Sequence, residues 1–247
     1  MQTSEQMRTQ NRGILIAFEG IDGVGLTTHA RKLRDLLESR GYKVVYTKEP
    51  TESYIGRWVK SLIKGRASLL KGNHPEFDPR VVALAFTLDR ALHVRNEIIP
   101  RLQQGYIVIC DRYALSTYAY QTAQGVSLGE LVYLNIRFSK IVPPDLIVLL
   151  EAPIETCLKR LLKSREYNEG VFEVREFLQK VKDRFEFLVH ENILSTLFGG
   201  KTPKVIRINT DRPIDDVSKD ILISVSRVLR EYRNKNDRVI QLNLEQV

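Results

Sequence analysis

Cysteine is scarce in this chain, with two among 247 residues. Two thiols cannot staple a small secreted fold or supply a four-cysteine zinc site. Cys110 ends an apolar, strand-like run and Cys157 lies in a helical segment, so both read as packing residues, as expected in a reducing cytoplasm. No apolar run approaches the roughly 20 residues that cross a bilayer, which excludes a membrane-spanning helix. Internal repeats, low-complexity linkers and breaks in composition are all missing. The polar stretch MQTSEQMRTQNR lacks the apolar segment of a signal peptide, so residues 1–12 are expected to form a tail, as is the polar segment 233–247. Positive charge is in excess, at +8, but it is not concentrated. Groups such as Arg31-Lys32-Arg34, Lys60-Lys64-Arg66 and Lys180-Lys182-Arg184 fall at helical spacing among acidic residues. That pattern suits solvated helix faces and a small anionic ligand better than a nucleic-acid surface, which interleaves clustered cations with aromatics.

A further absence falls inside a motif. Residues Phe18 to Thr28, FEGIDGVGLTT, follow the phosphate-loop pattern G-x-x-x-x-G-K-[ST] at Gly20, Gly25 and Thr27, but the lysine position holds Leu26. The apolar run Ile14–Phe18 before it reads as a buried parallel strand. From Leu26 to Ser39 the pattern turns helical, with Ala30, Leu33, Leu36 and Leu37 on one face. Glycines at 20, 23 and 25 allow backbone N–H groups to close around phosphate oxygens, and a helix N-terminus adds its dipole. Gly20, Gly23, Gly25, Leu26, Thr27 and Thr28 are therefore the expected triphosphate cradle, with the Thr27 hydroxyl placed for a divalent cation.

Four more strand-like runs follow, at 43–47, 106–110, 146–150 and 205–208. Helical stretches are expected over 54–64, 79–104, 127–140, 153–164, 171–195 and 214–232. Strands alternating with helices imply an α/β fold with a parallel sheet covered on both faces. Sites in such sheets gather beyond the carboxyl ends of the strands. Asp22, Glu49-Pro50, Asp111-Arg112 and Glu151 fall there, which predicts one crevice.

Taken together, FEGIDGVG-TT at 18–28, TKEP at 47–50, FTLDR at 86–90, DRYALSTYAYQ at 111–121 and PPDLIVLLEAP at 143–153 resemble the thymidylate kinase family of P-loop nucleoside monophosphate kinases. The resemblance covers about residues 13 to 232, and the DRYxxSxxAYQ segment is its most specific part. It implies a three-layer P-loop NTPase fold, with a five-stranded parallel sheet, helices on both faces and a small lid at about 160–172. The implied reaction is Mg²⁺-dependent transfer of the γ-phosphoryl of ATP to dTMP, by a homodimer; from the cysteines and the charge pattern, a cytoplasmic protein without a nucleic-acid partner is expected. By the same resemblance Thr27 and Asp111 form the magnesium shell, Arg112 clamps the acceptor phosphate, and Asp22 accepts from the acceptor's 3′-hydroxyl. Phe86 and Arg90, one helical turn apart, sandwich and read the thymine ring. Tyr120 lies against the sugar, while Ser116 and Gln121 contact the base. Lys48, Pro50 and Lys60 complete the acceptor site. The lid cations Arg160 and Arg165 carry the catalytic charge where the glycine loop has no arginine; the alternative is an ordinary basic helix end.

The chain departs from the family pattern at both anion sites. Leu26 removes a lysine that bridges phosphates, and a leucine standing against phosphate would also weaken ATP binding. The family's T-R-E-P-G-G reads Thr47-Lys48-Glu49-Pro50-Thr51-Glu52, its later arginine reads Lys60, and the glutamate three before it reads Arg57. Lysine for arginine keeps charge and loses the bidentate fork. A weakened dTMP kinase, a catalytically inactive nucleotide-binding or scaffolding relative, and a kinase with a changed acceptor all follow from these departures.

Overall fold

The structure, a computed structural model, describes residues 12–69, 78–164 and 171–244. Five strands form a single sheet: β1 (Ile14–Glu19), β2 (Val44–Lys48), β3 (Ile107–Asp111), β4 (Leu146–Glu151) and β5 (Lys204–Asn209). Every pairing is parallel and the order is β2-β3-β1-β4-β5. All six β1 residues are buried, as a central strand covered on both faces requires. The chain runs from β1 outward to β2 on one side and, after β3, crosses to the other side for β4 and β5. The loop after β1 therefore opens where the winding reverses, the place in such sheets where ligands bind.

The connecting helices are α1 (Leu26–Glu38), α2 (Tyr54–Leu69), α3 (Pro79–His93), α4 (Ile99–Gln103), α5 (Ala114–Ala123), α6 (Leu128–Leu134), α7 (Ile154–Ser164), α8 (Val171–Leu188), α9 (Glu191–Leu197) and α10 (Ile214–Leu244). Besides α2, which runs past the expected 64 to Leu69, and α5, which was not expected, four stretches differ from expectation. The stretch 79–104 widens into a π-helical turn at Val94–Ile98. Pro100 follows that turn; having no N–H, it could not bond back to the carbonyl of residue 96. The stretch 127–140 does the same at Asn135–Ser139, which aims Asn135 into the interior. The stretch 171–195 breaks at extended His190, whose carbonyl accepts from the amides of Ile193 and Leu194 to start α9. α10 continues past the expected 232 to Leu244, so the 233–247 segment is helical as far as it is described. No described helix is long and apolar enough to cross a membrane.

The core lies where α1, α5 and α10 close on β1, β3 and β4, and it includes Leu15, Ile16, Leu33, Ile109, Leu115 and Leu150. A smaller cluster of Val59, Leu62 and Ala85, with Ile55 and Phe86 packed on it, joins α2 to α3 beside the crevice.

Candidate active site

The glycine loop has the geometry its residues demand. A Cβ at Gly20 would stand 2.6 Å from the Leu150 carbonyl oxygen, and one at Gly23 would stand 2.5 Å from that of Cys157. Gly25 caps α1 with φ of 98°, and the first turn of α1 carries no acidic residue to cancel its dipole. Leu26 does not stand against the cradle as expected: its side chain joins the apolar core and is 6% exposed. The backbone cradle is thus left unplugged, and the cost of the substitution is a missing charge rather than a blocked loop. Thr27 is half-buried and Thr28 exposed.

Across the strand ends, Thr27 Oγ1 donates to Asp111 Oδ2 at 2.5 Å. The Tyr46 hydroxyl donates to the same oxygen at 2.8 Å, and Lys48 Nζ lies 3.7 Å from it. A threonine hydroxyl beside a carboxylate is the hard oxygen pair that Mg²⁺ accepts, so the residues fit the expected cation.

Arg112 joins this loop to α5. It holds a left-handed backbone (φ 67°). Its Nη1 donates to the Gly20 carbonyl at 2.8 Å and to Ser116 Oγ at 3.1 Å, and its Nη2 donates to Asp22 Oδ1 at 2.6 Å. Below it lies Glu19, fully buried and not singled out by the sequence reading. Its carboxylate accepts from the backbone amides of Tyr113 and Leu115 at 3.1 Å and from the Ser116 hydroxyl. Burial pushes the Glu19 pKa up to about 7, against the pull of the Ser116 bond and the Arg112 charge. A folded pKa above the unfolded one adds stability present below about pH 4.5 and lost as pH rises through about 7. The shift corresponds to about 3 kcal/mol. Glu19→Gln should therefore remove most of the loss in unfolding free energy between pH 5 and pH 8, measured by urea melts; an unchanged slope would contradict this assignment.

The α3 side of the crevice is built around Arg90, which is 1% exposed. Its Nε donates to Glu49 Oε2 at 2.9 Å, Nη1 to Asn135 Oδ1 at 2.6 Å and Nη2 to Thr117 Oγ1 at 2.8 Å. Burial raises the Glu49 carboxyl, but the Arg90 charge and the His93 hydrogen bond outweigh it and hold it below the usual range. Phe86 is half-buried on the α2–α3 cluster, one turn from Arg90. Tyr120 stacks edge-on against Phe177 and Phe185 of α8, with the Arg112 guanidinium 5.3 Å from its ring centre. The Tyr120 hydroxyl and Gln121 Oε1 are buried without a hydrogen-bond partner. Asp22 helps to hold the Tyr120 phenol protonated, after burial, although no hydrogen bond of proper geometry joins the two. Two unpaired buried polar atoms on one helix are what a polar ligand would satisfy.

The remaining expected residues divide. Pro50 follows a cis peptide, and beyond it Thr51 and Ser53 are tied to Asp89, which the sequence reading missed. Lys60 pairs with exposed Glu52, so the charge that Glu52 brings to this stretch is matched by the lysine. Arg160 donates to the Gly23 carbonyl at 3.4 Å and to the Thr210 carbonyl at 2.7 Å, bracing the loop against the turn after β5. Arg165 and the lid segment 165–170 lie outside the described residues, as do residues 1–11 of the tail. Glu151 does not join the crevice cluster: Arg207 on β5 takes its carboxylate at 2.6 Å and links it to Glu186.

A sequence model of the thymidylate kinase family matches residues 18–221. The chain is 36% identical over 218 residues to a probable thymidylate kinase of Pyrococcus horikoshii, covering 88% of this chain and 98% of that protein. It is 35% identical over 212 residues to one of Thermococcus gammatolerans, with 85% and 94% covered. A thymidylate kinase of Desulfotalea psychrophila is 34% identical over 223 residues, with 90% and 98% covered. By this match over most of its length and these relatives, the chain belongs to the thymidylate kinase family.

Proposed function

We propose that this chain transfers the γ-phosphoryl group of ATP to dTMP, at a rate lowered by the loss of the loop lysine. The observation that carries the reading is Arg112, whose single guanidinium bonds both the Gly20 carbonyl of the glycine loop and Ser116 of the acceptor helix. A cation so placed can hold an acceptor phosphate oxygen in line with a terminal phosphate on the loop, and positioning of that kind is worth about 7–11 kcal/mol. The unpaired Gln121 and Tyr120 atoms on α5, and Phe86 on α3, which packs against α5, support a base and sugar at the other end of the acceptor.

Thr27 and Asp111 would hold Mg²⁺, which neutralises charge on the phosphates when bound. Asp22 remains half-exposed on the crevice rim, free to accept from a ligand hydroxyl through its second oxygen. A single phosphate-directed donor is worth about 10²–10³-fold in rate, less than positioning supplies, so a slow enzyme is the outcome. A coupled ADP-release assay with ATP, Mg²⁺ and each nucleoside monophosphate tests this. dTMP should be the best acceptor; another best acceptor would replace the substrate in this reading. The burial of Leu26 favours one rival, a non-catalytic nucleotide binder, and tight dTMP binding with no turnover at micromolar enzyme would establish it.

The same reading includes a homodimer. Val81, Leu84, Leu88 and Leu92 form one exposed apolar face of α3, beside exposed Ile136 and Phe138 of the packed 135–139 turn. Leu84→Glu with Leu88→Glu should convert a dimer to a monomer in sedimentation equilibrium. A natural chain that is already monomeric would remove the dimer.

A further inference from the structure

We infer that Lys48 supplies, from the neighbouring strand, the phosphate-directed cation that position 26 has lost; the inference rests on the phosphoryl-transfer reading above. Lys48 ends β2 and pairs in register with Asp111 at the end of β3. Its Nζ lies 3.7 Å from Asp111 Oδ2, the oxygen that Thr27 Oγ1 holds at 2.5 Å. One carboxylate oxygen thus separates the ammonium from the hydroxyl that follows Leu26 in the first turn of α1.

Among the described residues, the other cations bonded around the crevice are held by protein groups, and the two donors left on Arg112 are assigned to the acceptor phosphate. Arg112 is held by Gly20, Ser116 and Asp22; Arg160 by Gly23 and Thr210; Arg90 by Glu49, Asn135 and Thr117; Lys60 by Glu52. Lys48 has the long contact to Asp111 and a weaker charge interaction with Glu52, and its side chain is 43% exposed at the crevice. Of these described cations it has the most freedom to turn toward a phosphate. Lysine suits that task, because a compact charge on a flexible stem can follow a moving phosphoryl group where a rigid fork would not. The substitution of lysine for arginine in the TKEP segment, a loss on the acceptor side, is a gain on the donor side.

In the transfer, the bond from the γ-phosphorus to the β,γ-bridging oxygen breaks and a bond to a dTMP phosphate oxygen forms. ADP leaves with the bridging oxygen and its electron pair. The Lys48 ammonium keeps its protons and donates hydrogen bonds to the oxygens that gain charge. Its bland alternative is a counter-ion for buried Asp111 and nothing more.

A cycle of Lys48→Gln and Leu26→Lys separates the two. Steady-state turnover of dTMP is measured together with the calorimetric affinity for ADP without metal. In the natural chain Lys48→Gln should lower kcat by about 10²-fold and weaken ADP binding. With Leu26→Lys present, the same change should cost little in either quantity. Leu26→Lys alone should gain about tenfold, because Lys48 already does part of the work, and about 10³-fold beside Lys48→Gln, as the cycle then requires. Equal losses in the two backgrounds would overturn the inference, as would a rise in KM for dTMP with kcat unchanged. If the natural chain shows no dTMP-dependent turnover, the functional reading fails, and the ADP arm alone decides: unchanged affinity on Lys48→Gln overturns the inference, and a loss restored by Leu26→Lys sustains it.

Discussion

Arg112→Met lowers dTMP-dependent turnover by about 10³-fold or more while the affinity for ADP alone changes little. Three of the five guanidinium N–H groups are used within the protein, on the Gly20 carbonyl, Ser116 and Asp22, so the side chain is aimed before any ligand arrives. Two donors remain for phosphate oxygen, and Asp22 is an exchangeable partner on the crevice rim. An arginine so pre-aimed loses little rotamer freedom on binding, and in phosphoryl transfer such arginines are worth about 10³–10⁵-fold. Methionine keeps the stem packed near Tyr120 but leaves the Gly20 carbonyl and the acceptor phosphate without a donor. Arg112→Lys should fall between the two, restoring charge without the fork. Turnover of the methionine variant within tenfold of the natural chain would show that the acceptor phosphate is held elsewhere.

The second large effect is on stability. Arg90→Met should destabilise the fold by about 3–5 kcal/mol, because it strands Glu49 as a buried charge with only His93 beside it. For a domain of this size that is a drop of about 10 °C in Tm. Asn135 and Thr117 lose their donor at the same time, so the π-helical turn that carries Asn135 is left without its anchor. The pH dependence follows from the lowered Glu49 pKa. That contribution is present above the ordinary carboxyl pKa and is lost as pH falls through the folded value, so the penalty of Arg90→Met should shrink in acid. Thermal melts at pH 4 and pH 8 check it; an equal penalty at both would mean that packing, not charge, is what the arginine supplies.

The strands were readable because each is a short apolar run, and all five lie within one residue of where the run ends. The glycine loop was readable because backbone contacts leave no room for a Cβ at Gly20 and Gly23, and Gly25 holds a left-handed backbone. α5 was not among the helices expected from periodicity, and its burial explains why. Leu115 and Tyr118 face the core, while Ser116, Thr117 and Gln121 are buried as well, so no polar face marks a 3.6-residue period. The two π-helical turns leave no mark in apolar spacing, and with them went the bond between Arg90 and Asn135. Lys48 and Asp111 became neighbours only once β2 was seen to pair with β3 rather than with β1. Glu19 sits inside the glycine motif, yet its role as the buried acceptor beneath α5 depends on the turn that brings the Tyr113 and Leu115 amides back over it.

The account stands on a crevice that brings a triphosphate tail and a deoxynucleotide phosphate end to end. Phosphorus NMR of the unaltered chain with ATP, Mg²⁺ and dTMP reads that event directly. The γ-phosphate resonance should decline as ADP and dTDP resonances rise in equal amounts, and only when dTMP is present. Loss of the γ resonance to free phosphate at the same rate with and without dTMP, or no change over hours at stoichiometric enzyme, would contradict it.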